Sequence, residues 1–332
     1  MASRGRPRTV LLDPSDPTAA RHIIGLLNDA LPGPPRSEQW FLWKHAQNPA
    51  GQSIVAGSYD PRTGRLVAVR IFWKMLMRRG GSVSVAFQPC DTATSEAFRR
   101  RGLFRMLTEA ALDQARELGG EVVFNFPNRH SGPANIKLGW QEIDGLRLWV
   151  KPMKWRNALS ALKGGRRVGR FQDGDVEEDE EGYPTPSHEG WPDPTRWAAK
   201  VIHGDRDPAF LDWRFTQHPR YTYRPTSASG ATMVGRLGHR GSLSEFFVVG
   251  WLGSATHSTG AVRDLVRSAQ EKYDPALITT YVSSGHPLRG RLLGAGFLPT
   301  RSRIPCLARG LVNPRGWISA RWALESTEKD TH

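Results

Sequence analysis

The chain has 332 residues, enough for two domains that each bury a core, and a formal net charge of +14. This basic excess favours anionic partners: cofactor phosphates, an acidic carrier protein, an acidic peptide, or nucleic acid bound without sequence preference. No apolar run is long enough to span a membrane, Met1 to Val10 lacks a secretory core, and Cys90 and Cys306 are too few for a disulfide framework or a four-ligand metal site. The expectation is a cytoplasmic protein with two free thiols and no structural metal.

In chain order, Thr9 to Leu12 reads as a short strand, and Pro17 opens a helix carrying Ile23, Ile24, Leu27 and Leu31 on one face until Pro32-Gly33-Pro34-Pro35 stops it. Ser37 caps a second helix, whose Trp40, Phe41 and Trp43 are suited to packing on a sheet. Ser53 to Ser58 and Leu66 to Met77 are β-rich and are joined by Asp60-Pro61-Arg62-Thr63-Gly64, the composition of a hairpin turn.

Ser82 to Phe87 continues as a strand, whereas Phe104, Leu107, Ala111, Leu112 and Ala115 recur at helical spacing up to Gly119-Gly120. Between them lies Asp91-Thr92-Ala93-Thr94, followed by Phe98-Arg99-Arg100-Arg101-Gly102-Leu103-Phe104, so the arginines sit in a strand-to-helix turn. The start of a helix leaves backbone N–H groups without internal partners, and Gly102 lets them approach a phosphate.

Written as Arg99-x-x-Gly102-x-Phe104, the turn resembles the Gln/Arg-x-x-Gly-x-Gly/Ala signature of the GNAT acyl-CoA N-acyltransferases, with Phe104 departing from the small final residue. The order that follows is also similar: a strand at Val122 to Phe126, Asn128, a short helix at Ser131 to Leu138, and the pair Gly139-Trp140. Segments Gln141 to Ile143 and Leu146 to Val150 are expected to close this first sheet, ending a domain over residues 1–160.

Residues 161–194 carry basic residues from Lys163 to Arg170, an acidic run from Asp173 to Glu181, and then prolines, the composition of an interdomain linker. The acidic run lying across the basic face is the alternative reading. Trp43-Lys44-x-x-Gln47-x-Pro49 then returns as Trp213-Arg214-x-x-Gln217-x-Pro219, in a helix opened by Asp207-Pro208. Strands at Tyr221 to Arg224, Ala231 to Leu237 and Leu243 to Trp251, a helix at Thr259 to Tyr273, a strand at Ala276 to Val282 and the pair Gly296-Phe297 repeat the first order without its Arg-x-x-Gly turn. The resemblance thus implies an α/β (α+β) chain of two tandem GNAT-like domains, each a mixed, mostly antiparallel sheet flanked by helices, the second (residues 195–332) degenerate.

The resemblance implies acyl-CoA as co-substrate, acetyl-CoA foremost, and a small-molecule or peptide amine as acceptor. Its cofactor positions fall on Thr92, Ala93 and Thr94 at the strand end, on Arg99, Arg100, Arg101, Gly102, Leu103, Phe104 and Arg105 at the turn, and on Asn128, Ser131 and Asn135 beyond it. A helix cap is the other reading of Ser131. Asn135 stands where the family often has a Tyr acid, and an Asn carries no titrating proton. Asp91 and His130 are the nominated proton-transfer residues, with Glu96 and Cys90 behind them. The other histidines, His45, His203, His218, His239, His257 and His286, lie singly without metal-ligand spacing. Phe104 could signal a long-chain or carrier-protein donor, and loss of the acid at Asn135 could leave a noncatalytic binding protein. No zinc, helix-turn-helix or RNP pattern is present to read bases.

Overall fold

The structure, a computed structural model, describes residues 8–154, 171–173, 191 and 201–329. The first unit runs β1 (Arg8–Leu12), α1 (Pro17–Ala30), α2 (Glu38–His45), β2 (Ile54–Tyr59), β3 (Leu66–Arg79), β4 (Ser82–Thr94), α3 (Leu103–Glu117), β5 (Gly120–Asn125), α4 (Ser131–Lys137) and β6 (Gln141–Pro152). Caps set the first helices: the Asp16 carboxylate accepts from Thr18 N at 2.7 Å, and Ser37 Oγ accepts from Trp40 N at 3.1 Å.

β1 to β4 are antiparallel neighbours, and β4 pairs in parallel with β5 only over Val85 to Phe87. Side-chain alternation splits the core by face. Ala68, Phe72, Phe87 and Val123 meet Leu103, Leu107, Ala111 and Leu112 of α3, while Val69, Ile71, Trp73 and Phe124 share the other cluster with α1 and the α2 aromatics.

The second unit runs β8 (Val201–Gly204), α5 (Pro208–Leu211) continued by a π-helical turn over Asp212–Thr216, β9 (Arg224–Ala228), β10 (Ala231–Arg240), β11 (Leu243–Leu252), α6 (Thr259–Tyr273), β12 (Leu277–Ser283), α7 (Arg289–Gly294), β13 (Leu298–Gly310), α8 (Pro314–Ile318) and β14 (Arg321–Trp322). The expected strand at Tyr221 to Arg224 begins instead at Arg224. Tyr221 and Tyr223 turn their rings to the Arg236 guanidinium, 4.0 and 5.9 Å away, rather than entering the ladder. Of residues 161–194, β7 (Phe171–Asp173) pairs with β10, and Trp191 packs on Phe215 at 5.6 Å. The rest of that segment, including the acidic run after Asp173, lies outside the described residues.

The described strands form one 14-stranded sheet whose main path is β1-β2-β3-β4-β5-β13-β6-β12-β11-β10-β7. Gln141 to Ile143 and Leu146 to Val150, expected to close the first sheet as two segments, form the single strand β6, and the sheet continues past β5 through β13, with β6 paired to β12 and β13. β6 and β13 each follow a Gly-aromatic pair and occupy corresponding places in the two units. Exchanging them leaves every ladder filled, so local sequence does not distinguish the two arrangements.

The repeated Trp motif lies where the units meet. Trp43 and Trp213 stack at 4.6 Å, and each indole N–H donates to the other's backbone carbonyl at 2.9 Å. A sequence repeat thus becomes a near-twofold contact.

Candidate active site

The turn after β4 is built from left-handed backbone. Arg100 has φ 62° and Gly102 φ 77°, and α3 begins at Leu103 with no side chain capping its first turn. A Cβ built at Gly102 would meet nothing within 4 Å, so the helix end faces open space. Buried Leu103 fastens the turn to the core, while Arg99, Arg100, Arg101, Gly102 and Arg105 are exposed. Arg99 Nε approaches Thr94 O at 3.4 Å, Arg101 lies over Phe98 at 4.6 Å, and Arg105 pairs with Glu109 at 2.8 Å.

Beside this turn the sheet opens. Past Phe87, β4 follows β3 as far as Thr94, whereas β5 at Phe124 and Asn125 pairs with β13. A register shift opposite Arg70 brings two residues, Asp91 and Thr92, against one, and Asp91 takes φ 35°. The bulge sends them to opposite faces. Thr92 Oγ1 accepts from Arg70 Nη1 at 2.8 Å, while Asp91 turns toward α2, with Lys44 Nζ at 2.5 Å and His45 Nε2 at 3.3 Å from its Oδ2. Ala93 is buried and Thr94 half-buried.

At α4, Asn128 Oδ1 accepts from the backbone N–H of His130 and Ser131, both at 2.9 Å, and lies 3.2 Å from Ser131 Oγ. Asn128 and Ser131 thus build the entry to this helix, and His130 stands exposed beside Arg129 at 3.0 Å. Asn135 is fully buried, and its Oδ1 accepts from Arg70 Nη2 at 3.1 Å.

Arg70 joins three of the sequence-nominated positions: it bonds Thr92 and Asn135 and lies 4.5 Å over the Phe104 ring. Burial pushes its pKa down to about 10, so it stays cationic at neutral pH. Sequence reading missed it, although a lone Arg in Leu66-Val67-Ala68-Val69-Arg70-Ile71-Phe72-Trp73 is a visible signal, two residues from Ala68 and Phe72 on the α3 face. Asp91 and His130 are not brought together, and the arginines of the turn remain at its exposed rim.

Among the described residues, His45, Cys90 and Asp91 offer ligand-type atoms within 4.8 Å of one another, a grouping invisible to sequence spacing. The Lys44 ammonium at 2.5 Å supplies positive charge to that carboxylate.

Residues 13–143 match the family described as the acetyltransferase (GNAT) domain. A search of curated protein sequences finds no match. Similar solved structures include Eis1 from Mycobacterium abscessus, at 14% identity and TM-score 0.59 over 92% of this chain and 74% of that one. A probable N-acyltransferase from Enterococcus faecalis is similar at 11% identity and TM-score 0.63, over 93% of this chain and 73% of that one. N-myristoyltransferase from Saccharomyces cerevisiae, solved with myristoyl-CoA, is similar at 11% identity and TM-score 0.52, over 93% and 80% of the respective chains. Residues 13–143 thus form an acetyltransferase (GNAT) domain, and the two units together have a tandem-GNAT fold.

Proposed function

We propose that the protein is an N-acyltransferase that moves an acetyl group from coenzyme A to a primary amine of a small molecule or peptide, by direct attack while both are bound. The carrying observation is the α3 N-terminus, uncapped by any side chain and open at Gly102, beside the parting of β4 and β5. Backbone N–H groups there suit a diphosphate, with Arg99, Arg100, Arg101 and Arg105 around it. The β4 edge through Thr92, Ala93 and Thr94 suits the amides of the pantetheine arm, and a backbone N–H there can polarise the thioester carbonyl as charge develops on its oxygen.

Asp91 is committed to Lys44 on the α2 side. In this reading it holds the bulge, and the amine's proton leaves to solvent at the rim where His130 stands. The net charge of +14 suits an acidic acceptor or an acidic acyl carrier protein.

A noncatalytic acyl-CoA-binding role is the second reading, favoured by Asn135 being buried and unable to supply a titrating proton. Intact-mass screening of amine libraries with acetyl-CoA and longer acyl-CoAs decides between them. Acceptors gaining the acyl mass with wild type, and at least about tenfold more slowly with Gly102→Glu, support transfer. Saturable coenzyme binding with no acylated product across the panel supports the binding role.

A further inference from the structure

Arg70 differs from Arg206, Arg240 and Arg236, three other buried arginines, in what surrounds it. Arg206 contacts Glu325 and Glu328, Arg240 contacts Glu245, and Arg236 contacts Asp173. Arg70 is only 2% exposed, and among the described residues no carboxylate pairs with it. Its hydrogen bonds go to two neutral oxygens, Thr92 Oγ1 and Asn135 Oδ1, and its flat face meets the rings of Phe72 and Phe104 at 5.6 and 4.5 Å. A cation buried without a counter-charge is costly, and the cost is recovered when an anion joins it.

Two buried groups of this network also find no hydrogen-bond acceptor among the described residues, Arg70 Nε and Asn135 Nδ2. Both are donors. A cation with one vacant donor, beside a second on the Asn135 amide, in an aromatic enclosure calls for an anion, and the enclosure lies under the first turn of α3, where the sheet parts. Given the acyl-CoA reading, on which this step rests, the anion formed there is the sulfur of the departing coenzyme.

We propose that Arg70, held in place by Thr92, Asn135 and Phe104, receives the coenzyme A thiolate as the thioester breaks. The amine lone pair forms the C–N bond while the C–S bond breaks, and its electron pair stays on sulfur opposite the guanidinium. The surplus proton on nitrogen passes to water, and the thiolate takes a proton from solvent on release. Charge pairing thereby replaces a proton-donating side chain, consistent with the amide at Asn135.

The test is the ionisation of bound coenzyme A, followed by thiolate ultraviolet absorbance against pH, with the desulfo-coenzyme complex as blank to cancel protein groups. In wild type the bound thiol is expected to titrate about one pH unit or more below the free coenzyme, and Arg70→Gln to abolish most of that shift. Arg70→Lys keeps the charge, is the second variant should the Gln form fail to fold, and is expected to retain part of the shift. Calorimetry should find desulfo-coenzyme A bound by Arg70→Gln within about threefold of wild type, about 0.6 kcal/mol. Bound coenzyme whose thiol titrates as it does free, or equal loss of both coenzymes in Arg70→Gln, would overturn the assignment while leaving the acyl-CoA reading standing. Absence of binding by wild type would overturn both.

Discussion

Arg70 and Asp91 lie on neighbouring strands and point to opposite faces because one bulge sets two residues of β4 against one of β3. Alternation sets Arg70 on the α3 face, but nothing in Asp91-Thr92-Ala93-Thr94 announces an extra residue, and Asp91, a nominated proton-transfer residue, is buried against Lys44. Asp91→Asn removes one member of a buried ion pair and should cost about 3 kcal/mol or more. Chemical denaturation checks this, and a stability loss with coenzyme binding retained would mark Asp91 as a holder of the bulge. Histidines at the unit boundary carry a pH signature. Burial, then the charges of Arg214, Arg236, Arg220 and Lys44, push His218 down to about 2, and burial foremost pushes His203 down to about 4. Both therefore stay neutral when folded while the unfolded chain takes up protons below its ordinary value of 6.5. Stability is full above that value and falls as pH drops from there toward the folded values. Melting temperature should decline between about pH 6.5 and 4, and more shallowly in His218→Gln; an unchanged slope in that variant would contradict the assignment.

Elements were more legible than their pairing. The helix opening at Pro17, the cap at Ser37, the helix after Gly102 and the helix Thr259–Tyr273 lie where local chemistry indicated, because each rests on residues a few positions apart. The Trp43 and Trp213 repeat was visible as spacing, but its reciprocal contact is a property of two chain segments 170 residues apart. Trp43→Ala and Trp213→Ala should each cost about 3–5 kcal/mol, and the double variant less than their sum, because each removes the other's stacking partner. Urea denaturation of the three variants measures the coupling; strict additivity would mean that the stack contributes nothing. The strand exchange was illegible for the reason given by its symmetry: β6 fits beside β5 or β12 equally well by pattern. Gly145 fits the observed crossing, since a Cβ there would lie 2.3 Å from the Ile304 carbonyl oxygen of β13. Gly145→Ala should destabilise the protein by about 1–3 kcal/mol through that backbone clash.

At the scale of the molecule, one sheet through β5, β13, β6 and β12 ties the two units into a single ladder. Residues 8–154 alone would leave β5 without β13 and β6 without either neighbour unless β6 moved beside β5, so this fragment should melt at a lower temperature than the full chain, which should unfold in one transition. No helix among the described residues is long and apolar enough to cross a membrane. The tandem architecture was legible because the order of elements repeats; the second unit lacks the Arg-x-x-Gly turn, so the helix end at Gly102 is the proposed coenzyme site. Calorimetric titration of coenzyme A into wild type and Gly102→Glu tests that placement most directly. The account predicts saturable binding by wild type and at least about tenfold weaker binding by the variant, about 1.4 kcal/mol, with an unchanged circular dichroism spectrum. Equal affinity in the two proteins, or no binding by wild type, would contradict it.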